Sequence, residues 1–380
     1  MAVRHGYGKV VTEGLVFAYD TGDTVNSYKG EPTENIHPEP QLNNWDIRQA
    51  DLTYTDDYVE IRTTASDNYS GIHDTINVVS GSTYTMSYYY KHISGTPRIG
   101  GHVNTSATIR IDRGTVSNNT FTDVPDDGEY HLVEETFTMG TSGNLSFYIQ
   151  PGRGLYEETV GRVRRGGKYG VQFEEKDHAT PFVNGTRSVS GSLLDLTGNS
   201  TIDLTNTGFD SDAQIVFDGT DNSAAITGLT ISAQQDKSYE AVIRVPVGHN
   251  QTGTIIGGQQ NTSNVFQIQS NEIIRAGEDD EFIFASSSIS VGEWHHVAYT
   301  FEFDGTDAYQ KLYLDGEITS ERTKITFIDT YIESTQYLGY EYRFNEYFNG
   351  DISVCKVYNR ALTADEVRNN YRHYKNRFNI

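Results

Sequence analysis

The sequence predicts an all-β protein: two β-sandwich (jelly-roll) domains with one C-terminal α-helix. Its dominant pattern is period two, in short runs rich in Val, Ile, Thr, Tyr and Phe separated by Gly, Asn and Asp, as in sandwiches of many short strands. At 380 residues, with 17 Phe and 26 Tyr, the chain is long enough for two domains of about 100 to 200 residues each and has the aromatic mass to fill their cores. Clear helical periodicity is confined to the last segment.

Along the chain, residues 14–20 (GLVFAYD) read as the first strand, and the piece that holds them is too short to bury its apolar side chains alone. It must join a sheet built elsewhere. Residues 31–40, EPTENIHPEP, crowd three prolines into ten positions, where no regular element persists. Over 82–90, Tyr84, Met86, Tyr88 and Tyr90 share one face while Thr83, Thr85, Ser87 and Tyr89 share the other, the pattern of a half-buried strand. A second break comes at 179–191, ATPFVNGTRSVSG, with Pro181, Asn184-Gly185 and small polar residues. Leu312, Tyr313 and Leu314 run into Asp315-Gly316, which suits a type I′ hairpin turn because both central residues need positive φ. Asp127-Gly128, Asp304-Gly305 and Asn349-Gly350 mark further turns. Thr363 with Glu366 forms a capping box that opens a helix over 363–378, and Val367, Tyr371, Tyr374 and Phe378 fall on one face of it. The breaks divide the chain into 1–35, 36–185 and 186–380.

There are 52 Asp and Glu against 29 Lys and Arg, a formal charge of -23, which disfavours nucleic acid and anionic membranes as partners. One cysteine, Cys355, makes neither an internal disulfide nor a thiolate zinc site, and reads as a small buried hydrophobe. Residues 1–8 lack the apolar core of a signal peptide and no run of about 18 apolar residues occurs, so synthesis and folding in a cytoplasm, without membrane insertion, are expected. The sequons at 104–106 and 199–201 follow from an Asn- and Thr-rich composition.

Several separated stretches resemble the laminin-G-like jelly rolls of the concanavalin A superfamily, in the form met in bacteriophage structural proteins: Ile215-Val216-Phe217-Asp218-Gly219, Glu293 to Ala298 (EWHHVA), Leu312 to Gly316, and Val357 to Leu362 (VYNRAL) before the capped helix. In that pattern GLVFAYD is followed closely by a segment like Asp195-Leu196-Thr197-Gly198-Asn199, which here arrives only after the middle segment. The resemblance thus implies a discontinuous jelly roll with a whole domain inserted. The insert more loosely resembles carbohydrate-binding-module sandwiches at Asn43-Asn44-Trp45, the Ser82 to Tyr90 strand and Glu129-Tyr130-His131 leading to Phe137, where that family often has a tryptophan, and its closing Tyr169 to Glu175 (YGVQFEE) with Ala179 to Phe182 (ATPF) resembles the ending of phage versions.

Sugar recognition needs aromatic rings with polar groups beside them. The densest such loop holds Tyr340, Tyr342, Arg343 and Tyr347, and the insert offers Trp45 and Tyr89. Arg162, Arg164 and Arg165, basic in an acidic chain, are candidates for an interface with an acidic neighbour. Asp20, Asp23 and Asp218 are weak calcium candidates, without an ordered D-x-D-x-D loop; no other cofactor is expected. The consecutive carboxylates at 278–281 alternate between strand faces and do not make the spaced acid pair of a glycosidase. Adjacent His295 and His296 point to opposite faces and read as packing.

The expectation drawn from the resemblance is a non-enzymatic tailed-phage virion protein, a capsid decoration or tail-associated component, homo-oligomeric and docked on other virion proteins. The alternative is a glycan-binding adhesin recognising host surface polysaccharide, with a glycoside hydrolase third.

Overall fold

The structure, a computed structural model, describes residues 9–101, 107–114, 120–211, 213–258, 265–278, 281–326 and 332–380. Residues 1–8, the sequon at 104–106 and the acidic pair at 279 and 280 lie outside these. The chain is mostly β and divides into two compact units. One comprises the described parts of Met1–Gly30, Ser188–Asp210 and Gln214–Ile380, a discontinuous sandwich; the other comprises those of Glu31–Arg187 and Ser211–Ala213, the inserted sandwich.

In the discontinuous sandwich one antiparallel sheet runs in the order Gly208–Phe209, Ile215–Asp218, Asn349–Tyr358, Lys237–Arg244, Trp294–Phe303, Asp307–Leu314 and Glu317–Thr326. Leu15–Asp20 pairs with Asn349–Tyr358, placing Phe17 opposite Val357 and Asp20 opposite Val354. The strand that is too short to fold alone therefore buries Phe17 and Tyr19 in this core, where the Tyr19 hydroxyl donates to the Ile352 carbonyl at 2.9 Å. The facing sheet runs Thr201–Asp203, Ala224–Ser232, Ile332–Leu338, Gly253–Gly258, Val265–Ile268, Ile273–Glu278 and Glu281–Ser288. At the Asp315-Gly316 turn both residues have positive φ, 49° and 80°.

The helix Ala364–Phe378 carries the reciprocal capping box: Thr363 accepts from the Glu366 amide, and Glu366 accepts from the Thr363 amide at 2.9 Å. Val367 packs with Ala298, Tyr313 and Tyr358, and Tyr374 with Val242 and Val354. Tyr371 is only half-buried, its ring over Gly316 and 5.9 Å from that of His296. A single helical turn, Val189–Ser192, is the other helix among the described residues.

The inserted sandwich has a five-stranded sheet, Thr122–Asp123, Arg98–Gly100, Gly143–Pro151, Gly71–Val78 and Asp46–Arg48, and a seven-stranded one. The latter runs Ala50–Tyr54, Tyr58–Thr63, Val160–Arg164, Thr83–Ser94, His131–Thr138 and Thr108–Ile111, with Gln172–Glu174 also paired to Thr83–Ser94. Its ends extend past 36–185 because Thr33–Glu34 pairs with Thr186–Arg187. The Thr83–Ser94 strand departs from the half-buried expectation: Thr85 and Ser87 are buried as well as the tyrosine face. The cause is a covering segment, since Thr85 Oγ1 donates to the Lys176 carbonyl at 2.9 Å and the Ala179 amide donates to Glu134 at 3.1 Å.

Candidate functional site

The strongest constellation lies on the outward face of the seven-stranded sheet. Val163 is in the core, so its neighbours Arg162 and Arg164 project outward, Arg164 opposite Tyr58 and Arg162 between Glu60 and Lys91. Tyr88 and Tyr90 point into the core by the same alternation, which puts Tyr89 and Lys91 outside. The Arg164 guanidinium sits 3.9 Å from the Tyr169 ring and 4.9 Å from that of Tyr130, and Tyr169 meets Tyr89 edge-on at 5.4 Å. Arg162 lies 4.3 Å from Tyr58 and pairs with Glu60 at 2.9 Å. Guanidinium planes on aromatic faces give up hydration while losing little further side-chain freedom. Burial raises the hydroxyls of Tyr89 and Tyr130, so both rings stay neutral and can donate a hydrogen bond.

The turn that follows the arginines closes this face. The Arg165 amide donates to Asp57 O at 2.9 Å and the Gly166 amide to Gln41 at 2.7 Å. Gly166 has φ 80°, and a Cβ there would lie 2.5 Å from the Asp56 carbonyl, so only glycine fits. An open groove of about 500 Å³ results, lined by Asp56, Asp57, Arg164, Arg165, Lys168 and Tyr169.

The structure thus brings Tyr89 together with Arg162 and Arg164, which the sequence offered for different roles, and adds Tyr58, Lys91, Tyr130 and Tyr169. The Arg-Val-Arg alternation carries the signal for the outward arginines; the rings that receive them come from other strands. Trp45 is a correction. It is buried, its ring 5.2 Å from both His37 and Phe147, with Nε1 donating to Glu39 O at 3.0 Å, so it is a core residue and no sugar platform.

In the discontinuous sandwich, Tyr340, Tyr342, Arg343 and Tyr347 do share one small hairpin, Tyr340–Glu341 with Glu346–Tyr347. Tyr340 and Tyr347 stack on each other at 4.5 Å, and burial together with Tyr347 pushes the Tyr340 hydroxyl up to about 12. Buried Glu341 holds the turn by accepting from the amides of Arg343 and Phe344 at 2.6 and 2.8 Å. Tyr342, 54% exposed, projects from it.

The three calcium candidates are not brought together: among the described residues no group of three or more His, Cys, Asp or Glu is placed to hold a metal. Asp20 pairs with Arg377 at 2.6 Å, Asp23 caps its own turn through the Val25 and Asn26 amides, and Asp218 accepts from the amides of Thr220, Asp221 and Asn222. Ser290, His295 and Asp315 form a hydrogen-bonded chain, 2.9 Å at each step. The Ser290 hydroxyl also lies 2.7 Å from Glu293, a second acceptor for its proton. This chain clamps the hairpin turn. His296 is buried 3.2 Å from Glu240, whose carboxylate also meets Lys356 at 2.8 Å. Burial pushes the Cys355 thiol up, which keeps it inert. No helix among the described residues is long and apolar enough to cross a membrane.

Comparison with known proteins assigns a family likeness to each sandwich. Residues 34–160 match the model of a carbohydrate binding domain. Residues 218–368 match the model of the concanavalin A-like lectin/glucanases superfamily. No curated protein matches the chain. Among solved structures it is similar to the receptor binding domain of botulinum neurotoxin C/D mosaic serotype, at 14% identity over 49% of this chain and 50% of that one, with a TM-score of 0.37. The botulinum neurotoxin serotype D ligand binding domain in complex with N-acetylneuraminic acid gives 15% identity, 49% coverage of each chain and a TM-score of 0.38. Domain 4 of AbnA, a GH43 extracellular arabinanase from Geobacillus stearothermophilus in complex with arabinotriose, gives 20% identity over 48% of this chain and 93% of that one, with a TM-score of 0.36. The chain spans about half the length of the neurotoxin domains it matches.

Proposed function

We propose that this chain is a non-catalytic glycan-binding protein whose sugar platform is the outward face of the inserted sandwich. The observation that carries the reading is the coincidence of two features: the segment matching a carbohydrate binding domain displays half-buried Tyr58, Tyr89 and Tyr130 on one sheet face, beside Lys91 and, just past the matched residues, Arg162 and Arg164. Such rings present apolar faces to pyranose C–H groups while the donors fix orientation. A glycan array probed with the full chain, Tyr89→Ala, Tyr130→Ala and, for the second hairpin, Tyr342→Ala tests it. Binding by the wild type that falls at least tenfold in the first two variants and persists in the third is expected. Binding lost only with Tyr342→Ala moves the platform to the hairpin, and a chain that binds no glycan overturns the reading.

The resemblance of GLVFAYD, YGVQFEE with ATPF, and VYNRAL to phage structural proteins supports a place for this binding protein on the surface of a virion, in many copies. Purified particles imaged with the chain labelled test that location, and unlabelled particles would refute it.

A further inference from the structure

We infer that the ligand of the inserted sandwich is an anionic glycan, carrying carboxylate or sulfate groups, and that Arg164 is the residue that reads its charge. This deepens the glycan-binding reading and rests on it. Several stacked arginines elsewhere in the chain are closed by a carboxylate: Arg48 on Tyr69 pairs with Asp67 at 2.9 Å, Arg98 on Phe121 with Asp123 at 3.3 Å, Arg244 on Trp294 with Asp351 at 2.8 Å, and Arg377 on Phe378 with Asp20 at 2.6 Å. Arg164 is held at least as closely, 3.9 Å from Tyr169 with Tyr130 on another side, yet its guanidinium has neither a carboxylate nor a hydrogen-bond partner among the described residues. Its five N–H donors are oriented and unspent, and a planar fork of that kind matches the two oxygens of a carboxylate or sulfate.

The surroundings have the right sign. The chain as a whole carries -23, but this face and its turn gather Lys91, Arg162, Arg164, Arg165 and Lys168 against Asp56, Asp57 and Glu60. Glu60 is already paired with Arg162. Lys168 lies 5.5 Å from the Tyr169 ring and Lys91 5.9 Å from that of Tyr130, so both ammonium groups border the rings that hold Arg164. A neutral sugar could accept hydrogen bonds from these donors, but only an anionic group also balances their charge. Repulsion from the rest of an acidic surface also suppresses indiscriminate polyanion binding, so any that occurs must be local to a site.

The test is titration calorimetry of the full chain with polygalacturonate, dextran sulfate and neutral dextran and xylan, for the wild type, Arg164→Gln and Arg164→Lys, each checked for an unchanged melt. The expected result is binding of at least one polyanion that weakens at least tenfold in Arg164→Gln, remains weak in Arg164→Lys because the fork is lost, and falls steeply with added salt. Which polyanion binds distinguishes carboxylate from sulfate. Binding confined to neutral glycans, or polyanion binding indifferent to Arg164→Gln, overturns this inference while leaving the glycan-binding reading intact. Binding of no glycan of either kind overturns both.

Discussion

Glu135 is a carboxylate that the inserted sandwich turns inward. Its strand pairs it with Met86, on the same side as Val133 and Phe137, and its Oε1 has no hydrogen-bond partner among the described residues. Burial raises its pKa from 4.5 to about 8, with Arg153 offsetting part of the effect. The folded form therefore keeps a proton that the unfolded chain releases above 4.5. Stability from this group is complete below about 4.5, is lost as the pH rises through 8, and levels off above that. The shift corresponds to at most about 5 kcal/mol, at about 1.4 kcal/mol per unit, and water entry at the carboxylate lowers that ceiling. Glu135→Gln imitates the protonated acid. It should match the wild type at pH 5, exceed it by several kcal/mol at pH 9, and abolish the pH slope between them. The chain has 2 tryptophans, Trp45 in this sandwich and Trp294 in the other, so urea unfolding followed by fluorescence in a Trp294→Phe background reports on the inserted sandwich alone. Parallel stability–pH curves for the two proteins would show that Glu135 is solvated or paired, and would refute the argument.

Three further outcomes follow from packing. In the discontinuous sandwich, burial would raise the Glu240 carboxyl, but Lys356 and His296 hold it down at about 2, and Asn370 donates to it at 2.6 Å. Lys356→Met should cost about 3 to 5 kcal/mol in urea unfolding by stranding that carboxylate, and adding Glu240→Leu should recover most of the loss; a double variant as unstable as the single would contradict this. Gly316→Ala places a methyl 2.7 Å from the Tyr371 ring at φ 80°, and should lower the melting midpoint through both strain and displacement of the helix; an unchanged midpoint would mean the helix is loosely docked. Trp45→Ala should cost about 3 to 5 kcal/mol of stability in the inserted sandwich while leaving glycan binding intact below its lowered melt, and selective loss of binding would return Trp45 to the site.

The features legible in the sequence are those whose physical cause is local. Thr363 and Glu366 satisfy each other's amides within one turn of helix, so the capping box is visible without any partner. Asp315-Gly316 supplies two positive-φ residues where a hairpin needs them. The Thr83–Ser94 alternation shows which face is apolar but not that a later segment covers the other, because that cover is made by Lys176 and Ala179. Consecutive Glu134 and Glu135 carry a local signal of their own: two acidic residues in a row on a paired strand put one carboxylate on each face, so one of them meets the core.

The candidate site was less legible for the same reason. Arg162, Arg164 and Arg165 read as a basic run suited to an acidic neighbour, and nothing in their own segment says otherwise. Their setting depends on rings from Tyr58 on one adjacent strand, Tyr89 on the other, Tyr130 at the head of the next, and Tyr169 past the turn. Trp45 goes the opposite way: its ring partners His37 and Phe147 lie outside its own segment, so nothing local shows that it is buried. A ring becomes a platform or a core residue according to which strands pair beside it, and pairing is a non-local property of the sheet. The residue types of the proposed sugar site can therefore be read from this sequence, whereas their convergence on one face follows only from the strand order.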